Sequence, residues 1–351
     1  MSSLPVTEDT TTGDKAAAAN RRDPLALLVR FQSLIGLVIV AIGGIVFSPR
    51  RHGEILFLAP DNMANIVRAV SETGIIAIGM TFVIVTAGID LSVGALLGLS
   101  SVVTATMMIN GGFGLASTIF LVLLAGVAFG AIQGTISTRF RLEAFIVTLA
   151  GLQAARGLAL MVSGNQYINI SYGEGPGLAP PIFAILGDRL FNNVVPVATI
   201  VFVCFAAVAT VALNTTRFGR YVFAVGGNER AARLSGVPVT GVKITVYAIT
   251  GFASALAGIV HAGQFNFGSA NDGAGYELTA IAAVVIGGTS LFGGAGSMIG
   301  TVAGTIMLGA LANILQLNNI TPALQLLSTA AIIVLAAVLQ SLVRRREGLL
   351  R

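Results

Sequence analysis

The sequence predicts an all-α integral membrane protein, a polytopic bundle of about ten transmembrane helices. Of its 351 residues 55% are hydrophobic and only 10% are charged, and the mean hydropathy is +0.89. A soluble domain carries about 25% charged residues, so this apolar surplus has no place in a soluble fold of this length. In lipid every backbone polar group needs an internal partner, which a helix provides.

Ten apolar runs are the predicted spans. They lie at 31–47, 72–88, 91–109, 114–137, 144–162, 194–213, 245–263, 278–290, 297–316 and 323–343. The 43 glycines of the chain fit close contact between helices in lipid. Residues 55–70 are too short and too polar to span, so we expect an amphipathic helix at the membrane interface there.

The distribution of basic residues predicts that both termini lie in the cytoplasm. With the N-terminus inside, 15 of the 20 Lys and Arg residues fall on inward segments, as the positive-inside rule requires. The opposite orientation would place a basic island at 214–244 outside. Because these residues flank spans, the net charge of +5 does not indicate nucleic-acid binding.

The chain is predicted to form one membrane domain, residues 25–345. Residues 1–24 are polar and rich in Thr, Ala and Asp, which is typical of a disordered cytoplasmic segment. Residues 346–351 are predicted to form a cytoplasmic tail. The longest outward loop, 163–193, is rich in Pro and Gly, so we expect an ordered cap of turns. The longest inward loop is the island at 214–244.

This island is predicted to contain a short helix. Asn228 follows two glycines and suits the N-cap, where its side chain accepts a hydrogen bond from an early backbone N–H. Glu229 then lies at the positive end of the helix dipole and Arg233 lies four residues later. Gly236 suits the position just beyond the helix. A helix so short gains little from propensity, so we expect it to pack on its own bundle or on a partner as a docking element.

Two glycine-rich segments resemble each other, at 83–98 and 284–300. Each places a polar, broken stretch between two apolar runs. Transporters often carry paired interruptions of this kind, because unwound backbone is tolerated where it lines a cavity. An internal repeat is one interpretation, and convergent glycine usage in a glycine-rich protein is the other.

Two charged residues lie in or beside apolar runs, Asp90 and Arg156. A charge at the bilayer centre costs about 2.5–3.5 kcal/mol on insertion scales, so both are expected to face the bundle interior or an aqueous path. One hypothesis places them along a translocation route, as a pair. The alternatives are that Asp90 caps the helix that follows it and that Arg156 has an interior structural partner.

The sequence lacks the usual marks of catalysis. It has no phosphate-binding G-x-x-x-x-G-K-[ST] motif, no Cys/His cluster with metal spacing and no G-x-S-x-G elbow. His52 and His261 are interpreted as hydrogen-bonded packing residues, and Asn271, Asp272 and Glu277 as part of a solvated outward loop. We therefore expect no catalytic residues, no metal and no cofactor.

Four segments of the chain, in order, are GMTFVIVTAGIDLSVGALLGLSS (79–101), FRLEAFIVTLAGLQAARGLALMVSG (140–164), TRFGRYVFAVGGNERAARLSGVPV (216–239) and AVVIGGTSLFGGAGSMIGT (283–301). Together they closely resemble the membrane permeases of bacterial ABC importers for ribose, xylose, galactose and similar sugars, and the likeness covers about residues 60–345. The resemblance implies a permease domain in the bacterial inner membrane. It also implies a second permease subunit, homo- or heteromeric, cytoplasmic ABC ATPases that bind the ATP, and an extracytoplasmic sugar-binding protein.

The resemblance further implies that the helix at 229–235 is a coupling helix, which docks on the ATPase. RAARLSG (230–236) looks like the E-A-A-x-x-x-G pattern of importer permeases, with Arg230 where Glu is expected and Glu229 one place early. The residues expected to couple to the ATPase are Asn228, Glu229, Arg230, Ala231, Ala232, Arg233, Leu234 and Gly236. The residues expected along the sugar path are Thr81, Asp90, Ser92, Gln153 and Arg156, with Asn110 and Asn165 as further polar candidates.

Three other functions remain open at this point. A permease of the branched-chain amino-acid importers shares the architecture, although the GIDLSVG segment favours the sugar side. An ion-coupled secondary transporter would need neither a docking helix nor an ATPase. A membrane-embedded enzyme would need a catalytic constellation, and the sequence offers none.

Overall fold

A computed structural model describes residues 32–331, 334 and 338. The described helices are α1 Gln32–Phe47, α2 Pro60–Val85, α3 Val93–Ile109, α4 Leu115–Phe140, α5 Ala144–Ser163, α6 Val197–Thr215, α7 Arg217–Gly227, α8 Glu229–Leu234, α9 Val239–Phe265, α10 Tyr276–Ile286 and α11 Met298–Leu317, followed by α12, which is helical over 322–331. The predicted disordered N-terminus and the C-terminal tail lie outside the described residues.

The strands of the described chain are all two residues long and form three small antiparallel pairs. They are β1 Arg50–Arg51 with β2 Glu54–Ile55, β3 Ile168–Asn169 with β6 Phe267–Gly268, and β4 Arg189–Leu190 with β5 Val195–Pro196. The predicted cap at 163–193 is folded on the bundle. Its 3-10 helix, Pro181–Gly187, buries Phe183.

The predicted class, an all-α membrane protein, is confirmed. In the described part of the chain six helices, α2, α4, α5, α6, α9 and α11, are long and apolar enough to cross a membrane. The apolar helices α1, α3 and α10 are shorter, and α10 has only 11 residues. At 1.5 Å per residue α10 is about 16 Å long, half the thickness of the hydrocarbon core. The count of ten spans and the side of the termini therefore stay predictions.

The prediction of an interfacial helix at 55–70 is wrong. Pro60 begins α2, which continues without a break to Val85 and is about 39 Å long. The polar residues of its first turns are held by protein rather than by the membrane surface. The amides of Asn62 and Asn313 are bonded reciprocally at 2.9 and 2.8 Å, and Arg68 donates to the carbonyl of Gln264 at 3.4 Å.

Helices α2 and α9 form the centre of the bundle. Every residue from 71 to 86 is buried, and α9 packs against α2, α3 and α4. Contact between α4 and α9 depends on three glycines spaced four apart, Gly126, Gly130 and Gly134. A Cβ atom at any of them would overlap the backbone of α9. Small residues at this spacing let two helices approach closely in lipid.

Candidate functional site

The short helix predicted in the basic island is confirmed as α8. Asn228 caps it, because the side-chain oxygen accepts the backbone N–H of Ala231 at 2.9 Å. Arg233 and Glu229 form the expected i,i+4 ion pair at 3.2 Å. Gly236 follows the helix with a φ of +82°, a conformation that glycine adopts without a steric penalty. The docking role of α8 stays a prediction at this point.

A second helix in the island, α7, was not predicted from the sequence. Thr216 caps it by accepting the N–H of Gly219 at 3.2 Å, and it ends at Gly227, one residue before the cap of α8. The signal was present, because Thr216 precedes a run with apolar residues at helical spacing, of which Val222 and Val225 are buried. The island is therefore two consecutive short helices.

Glu229 is tied to the bundle as well as to its own helix. Lys243, at the start of α9, donates to the second carboxylate oxygen of Glu229 at 2.6 Å. The hydrogen bond from Lys243 lowers the pKa of Glu229, and the nearby charges of Lys243 and Arg233 act in the same direction. Glu229 thus holds α8 against α9.

Replacing Lys243 with Met should weaken this attachment by a small amount. The Glu229 side chain is 43% exposed, so the expected loss is about 0.2–1 kcal/mol, as for other exposed ion pairs. A lowered carboxyl pKa stabilises the fold above the unfolded pKa of about 4.3 and stops doing so as the pH falls through the folded value. Thermal unfolding of both proteins in detergent should show a difference at pH 7 that vanishes in acid. A difference that persists below pH 3 would contradict this assignment.

Most of α8 is uncovered. Among its residues only Ala232 is buried, at 5% exposure, whereas Leu234 is 83% exposed beside the exposed side chains of Arg230 and Arg233. Arginine is enriched at surfaces that contact other proteins, so the exposed side of α8 suits such a contact.

The two glycine-rich segments are both breaks between helices, and they meet. Residues 86–92 separate α2 from α3, and residues 287–297 separate α10 from α11. The N–H of Gly294 in the second break donates to the carbonyl of Val85 at the first, at 2.9 Å. Gly226, at the end of α7, lies so close that a Cβ atom there would overlap both backbones. The basic island therefore contacts both breaks.

Thr81 of α2 and Thr301 of α11 are joined next to these breaks. Their hydroxyl oxygens are 2.8 Å apart and both side chains are fully buried. The Thr81 hydroxyl also lies 2.8 Å from the carbonyl of Ala77, and the Thr301 hydroxyl lies 3.2 Å from that of Ser297. Because each hydroxyl has one hydrogen, one threonine donates to its own helix and the other donates to its partner. The pair fixes α2 against α11 in the closed interior.

Asp90 and Arg156 do not form a pair. Asp90 is 2% exposed and accepts from the backbone N–H of Ser92 at 2.9 Å and from its hydroxyl at 2.6 Å. Arg156 donates instead to the carbonyl oxygens of Ala270 and Asp272. The interpretation of Asp90 as the cap of α3 is wrong, because among the described residues its carboxylate bonds only Ser92, which precedes the helix, and the N-cap Ser92 makes no side-chain cap hydrogen bond.

Gln133 was not among the residues predicted for the sugar path, although it lies beside Asp90 and Ser92. Its side-chain nitrogen donates to the Ser92 hydroxyl at 2.9 Å, so α4 joins the Asp90 cluster. Gln153 is exposed on the outer face of α5, and Asn110 and Asn165 are exposed at helix ends. Of the expected path residues Thr81, Asp90 and Ser92 are therefore interior, Arg156 is partly buried, and Gln153 is not enclosed by this chain.

The expectation that Asp272 lies in a solvated loop is wrong. Its carboxylate accepts from the N–H of Ser269 at 2.7 Å and from the Ser101 hydroxyl at 2.8 Å. The His261 ring lies between Asp272, at 3.3 Å, and Glu72, at 2.9 Å. His261 is 7% and Glu72 2% exposed, so the loop is fixed by a buried charged cluster. The interpretation of His261 as a hydrogen-bonded packing residue agrees with these contacts.

Two large cavities lie at opposite ends of α2 and α9. The first, the basic cavity, has a volume of about 1020 Å³ and includes Ala87, Asn228 and Tyr247. Its charged lining residues are Arg139, Arg141, Glu143, Glu229, Arg233 and Lys243. The second, the amide groove, has a volume of about 1070 Å³ and includes Asn62 and Gln264. The buried middle of α2 separates the two, so the described bundle is closed between them.

Comparison with known proteins identifies relatives over most of the chain. A ribose import permease of Haemophilus influenzae is 38% identical over 313 residues, which are 88% of this chain and 92% of the relative. A ribose import permease of Bacillus subtilis is 39% identical, covering 87% and 90%. A xylose transport system permease of Escherichia coli is 32% identical, covering 83% and 87%. No solved structure matches the chain significantly.

A family profile described as "Branched-chain amino acid transport system / permease component" matches residues 62–337. This range begins in α2 and extends into the last apolar run, and it includes both breaks and the whole basic island. The chain is a multi-pass membrane protein, and it belongs to this family of transport-system permease components.

Proposed function

We propose that the chain is the transmembrane permease subunit of a bacterial ABC importer, which moves a monosaccharide across the inner membrane into the cytoplasm. The observation that carries the proposal is α8, a capped and exposed helix that joins both helix breaks through α7. The ribose and xylose permeases among its relatives support a sugar as the cargo.

The proposal includes three protein partners and no cofactor or metal of the permease itself. A cytoplasmic ABC ATPase binds the ATP and receives α8. An extracytoplasmic sugar-binding protein delivers the sugar, and a second permease subunit, identical or related, completes the membrane pore together with lipid. Both termini and the basic cavity face the cytoplasm, because that orientation places the arginines of the island inside.

The mechanism is a movement rather than a chemical reaction. When ATP closes the paired ATPases, α8 moves with them, and Glu229 and Lys243 transmit the displacement to α9. The contact of Gly226 with Val85 and Gly294 transmits it to both breaks. The closed interior then opens towards one cavity or the other. ATP and the loaded binding protein shift this equilibrium because each binds one state better.

Deleting the ATPase should abolish uptake of labelled D-ribose by cells that express the permease and its binding protein. The expected residual uptake is that of cells without the permease, because in this proposal the ATPase supplies the energy for transport by moving α8. Uptake that survives the deletion and collapses with the proton or sodium gradient would support an ion-coupled secondary transporter instead. Uptake of leucine rather than ribose in the intact system would support the amino-acid branch of the family.

A further inference from the structure

The amide groove is unlike the basic cavity in its chemistry. It lies between the first turns of α2, the end of α9, α10, the second half of α11 and the start of α12. Six of its lining side chains are amides, namely Asn62, Asn65, Gln264, Asn313, Gln316 and Gln325. An amide offers donors and acceptors together, which is the combination that a sugar hydroxyl requires.

The charge of the groove disfavours a cationic ligand. Among the described residues that line it Arg68 is the one charged side chain, and no carboxylate is present. The guanidinium already donates to the backbone of Gln264. A cation, or the ammonium group of an amino acid, would lose its hydration without gaining a carboxylate partner, which is unfavourable. A neutral polyol meets no such cost.

One buried polar atom on a residue that lines the groove has no hydrogen-bond donor among the described residues. This atom is the side-chain oxygen Oε1 of Gln264, a residue only 8% exposed at the end of α9. A buried acceptor without a donor is unfavourable, so a ligand whose hydroxyl reaches this oxygen is favoured. Across the groove Asn62 and Asn313 hold each other in fixed orientation at 2.8–2.9 Å, so these amides are ordered before a ligand arrives.

The groove is also connected to the buried interior. Tyr276 lines it and donates to Glu72 at 3.5 Å, and Glu72 in turn contacts His261, which contacts Asp272. A ligand that displaces the Tyr276 ring would therefore disturb the cluster that joins α2, α9 and the loop after β6. The groove lies at the end of α2 and α9 away from α8, which is the side where an imported solute arrives.

We propose that the amide groove is the site at which the permease first holds its cargo, a neutral monosaccharide, with Gln264, Asn62 and Asn313 as hydroxyl-binding residues. The proposal rests on the importer function proposed above and adds the place and the chemical class of recognition. A cavity of this size holds one sugar with its water.

The test uses thiol protection in the full chain, reconstituted with its ATPase and binding protein in proteoliposomes. In a Cys204→Ser background the substitution Thr279→Cys places one reactive thiol in the groove, and Ala312→Cys is a second position if the first variant does not transport. D-ribose and D-xylose should slow the reaction with a hydrophilic maleimide, and L-leucine should not. Adding Gln264→Leu should raise the sugar concentration needed for half protection by about tenfold, because the substitution removes one hydrogen bond to the sugar. Gln166→Leu, an exposed amide outside the groove, should leave it unchanged.

The outcomes separate the two proposals. The groove assignment is overturned, and the importer function stands, if the parent protein transports ribose but no sugar protects either thiol. The same holds if sugar protects the thiol in the Gln264→Leu variant at the same concentration as in the parent. If L-leucine protects and sugars do not, the cargo class is wrong. If the complete system transports no sugar at all, the importer function itself fails.

Discussion

Replacing Gly236 with Pro is expected to abolish sugar uptake while the chain still inserts in the membrane. Gly236 has a φ of +82° and its N–H donates to the carbonyl of Arg233 at 3.1 Å. Proline fixes φ near −65° and has no N–H, so the turn after α8 cannot form. Deletion of 228–236 should have the same effect. Uptake by right-side-out vesicles and ATP hydrolysis stimulated by the loaded binding protein are the two measurements, and both should fall to the level of vesicles without permease.

The matched control is Gly241→Ala in the first turns of α9. A Cβ atom at Gly241 meets open space and the residue is exposed, so transport should stay within about twofold of the parent. If Gly236→Pro retains normal stimulation of ATP hydrolysis, α8 does not couple the permease to the ATPase.

Replacing Gly226 with Ala is expected to separate ATP hydrolysis from transport. The added methyl group would overlap the carbonyl of Val85 and the N–H of Gly294, so α7 has to move away from both breaks. Because protein interiors are close-packed, a methyl group added at a backbone contact forces the two backbones apart. We expect uptake to fall by about tenfold or more, corresponding to about 1.4 kcal/mol, while α8 still binds the ATPase and hydrolysis continues.

The neighbouring glycine provides the control. Gly227 has no atom near the position of a Cβ, so Gly227→Ala changes the same dipeptide without touching the breaks, and its uptake should match the parent. Equal uptake by the two alanine variants would show that the contact between α7 and the breaks transmits nothing.

The features that the sequence predicted correctly depend on short-range rules. Capping of α8 by Asn228, the Glu229–Arg233 pair and the glycine stop at Gly236 all follow from neighbours within four residues. The membrane class follows from composition. The two breaks were visible because glycine and polar residues interrupt long apolar runs in the same way at both places.

The features that were wrong or missed depend on contacts between distant parts of the chain. The first turns of α2 are polar enough to suggest the membrane surface, but Asn313, 251 positions away, satisfies Asn62. Asp272 is polar and lies between glycines, yet it is buried against His261 and Ser101. No local pattern contains such a partner. The pairing of Asp90 with Arg156 was inferred from charge alone, and the fold gives each residue other neighbours.

The central claim is that α8 lies in the cytoplasm against the ATPase, and one crosslinking measurement tests it directly. Leu234 is 83% exposed, so Leu234→Cys in the Cys204→Ser background presents a single thiol on α8. In intact cells a membrane-impermeant maleimide should leave this thiol unmodified, and in inside-out vesicles a short bifunctional crosslinker should join it to the ATPase, with less product when ATP is absent. Modification from outside the cell, or a crosslink to the extracytoplasmic binding protein, would contradict the account.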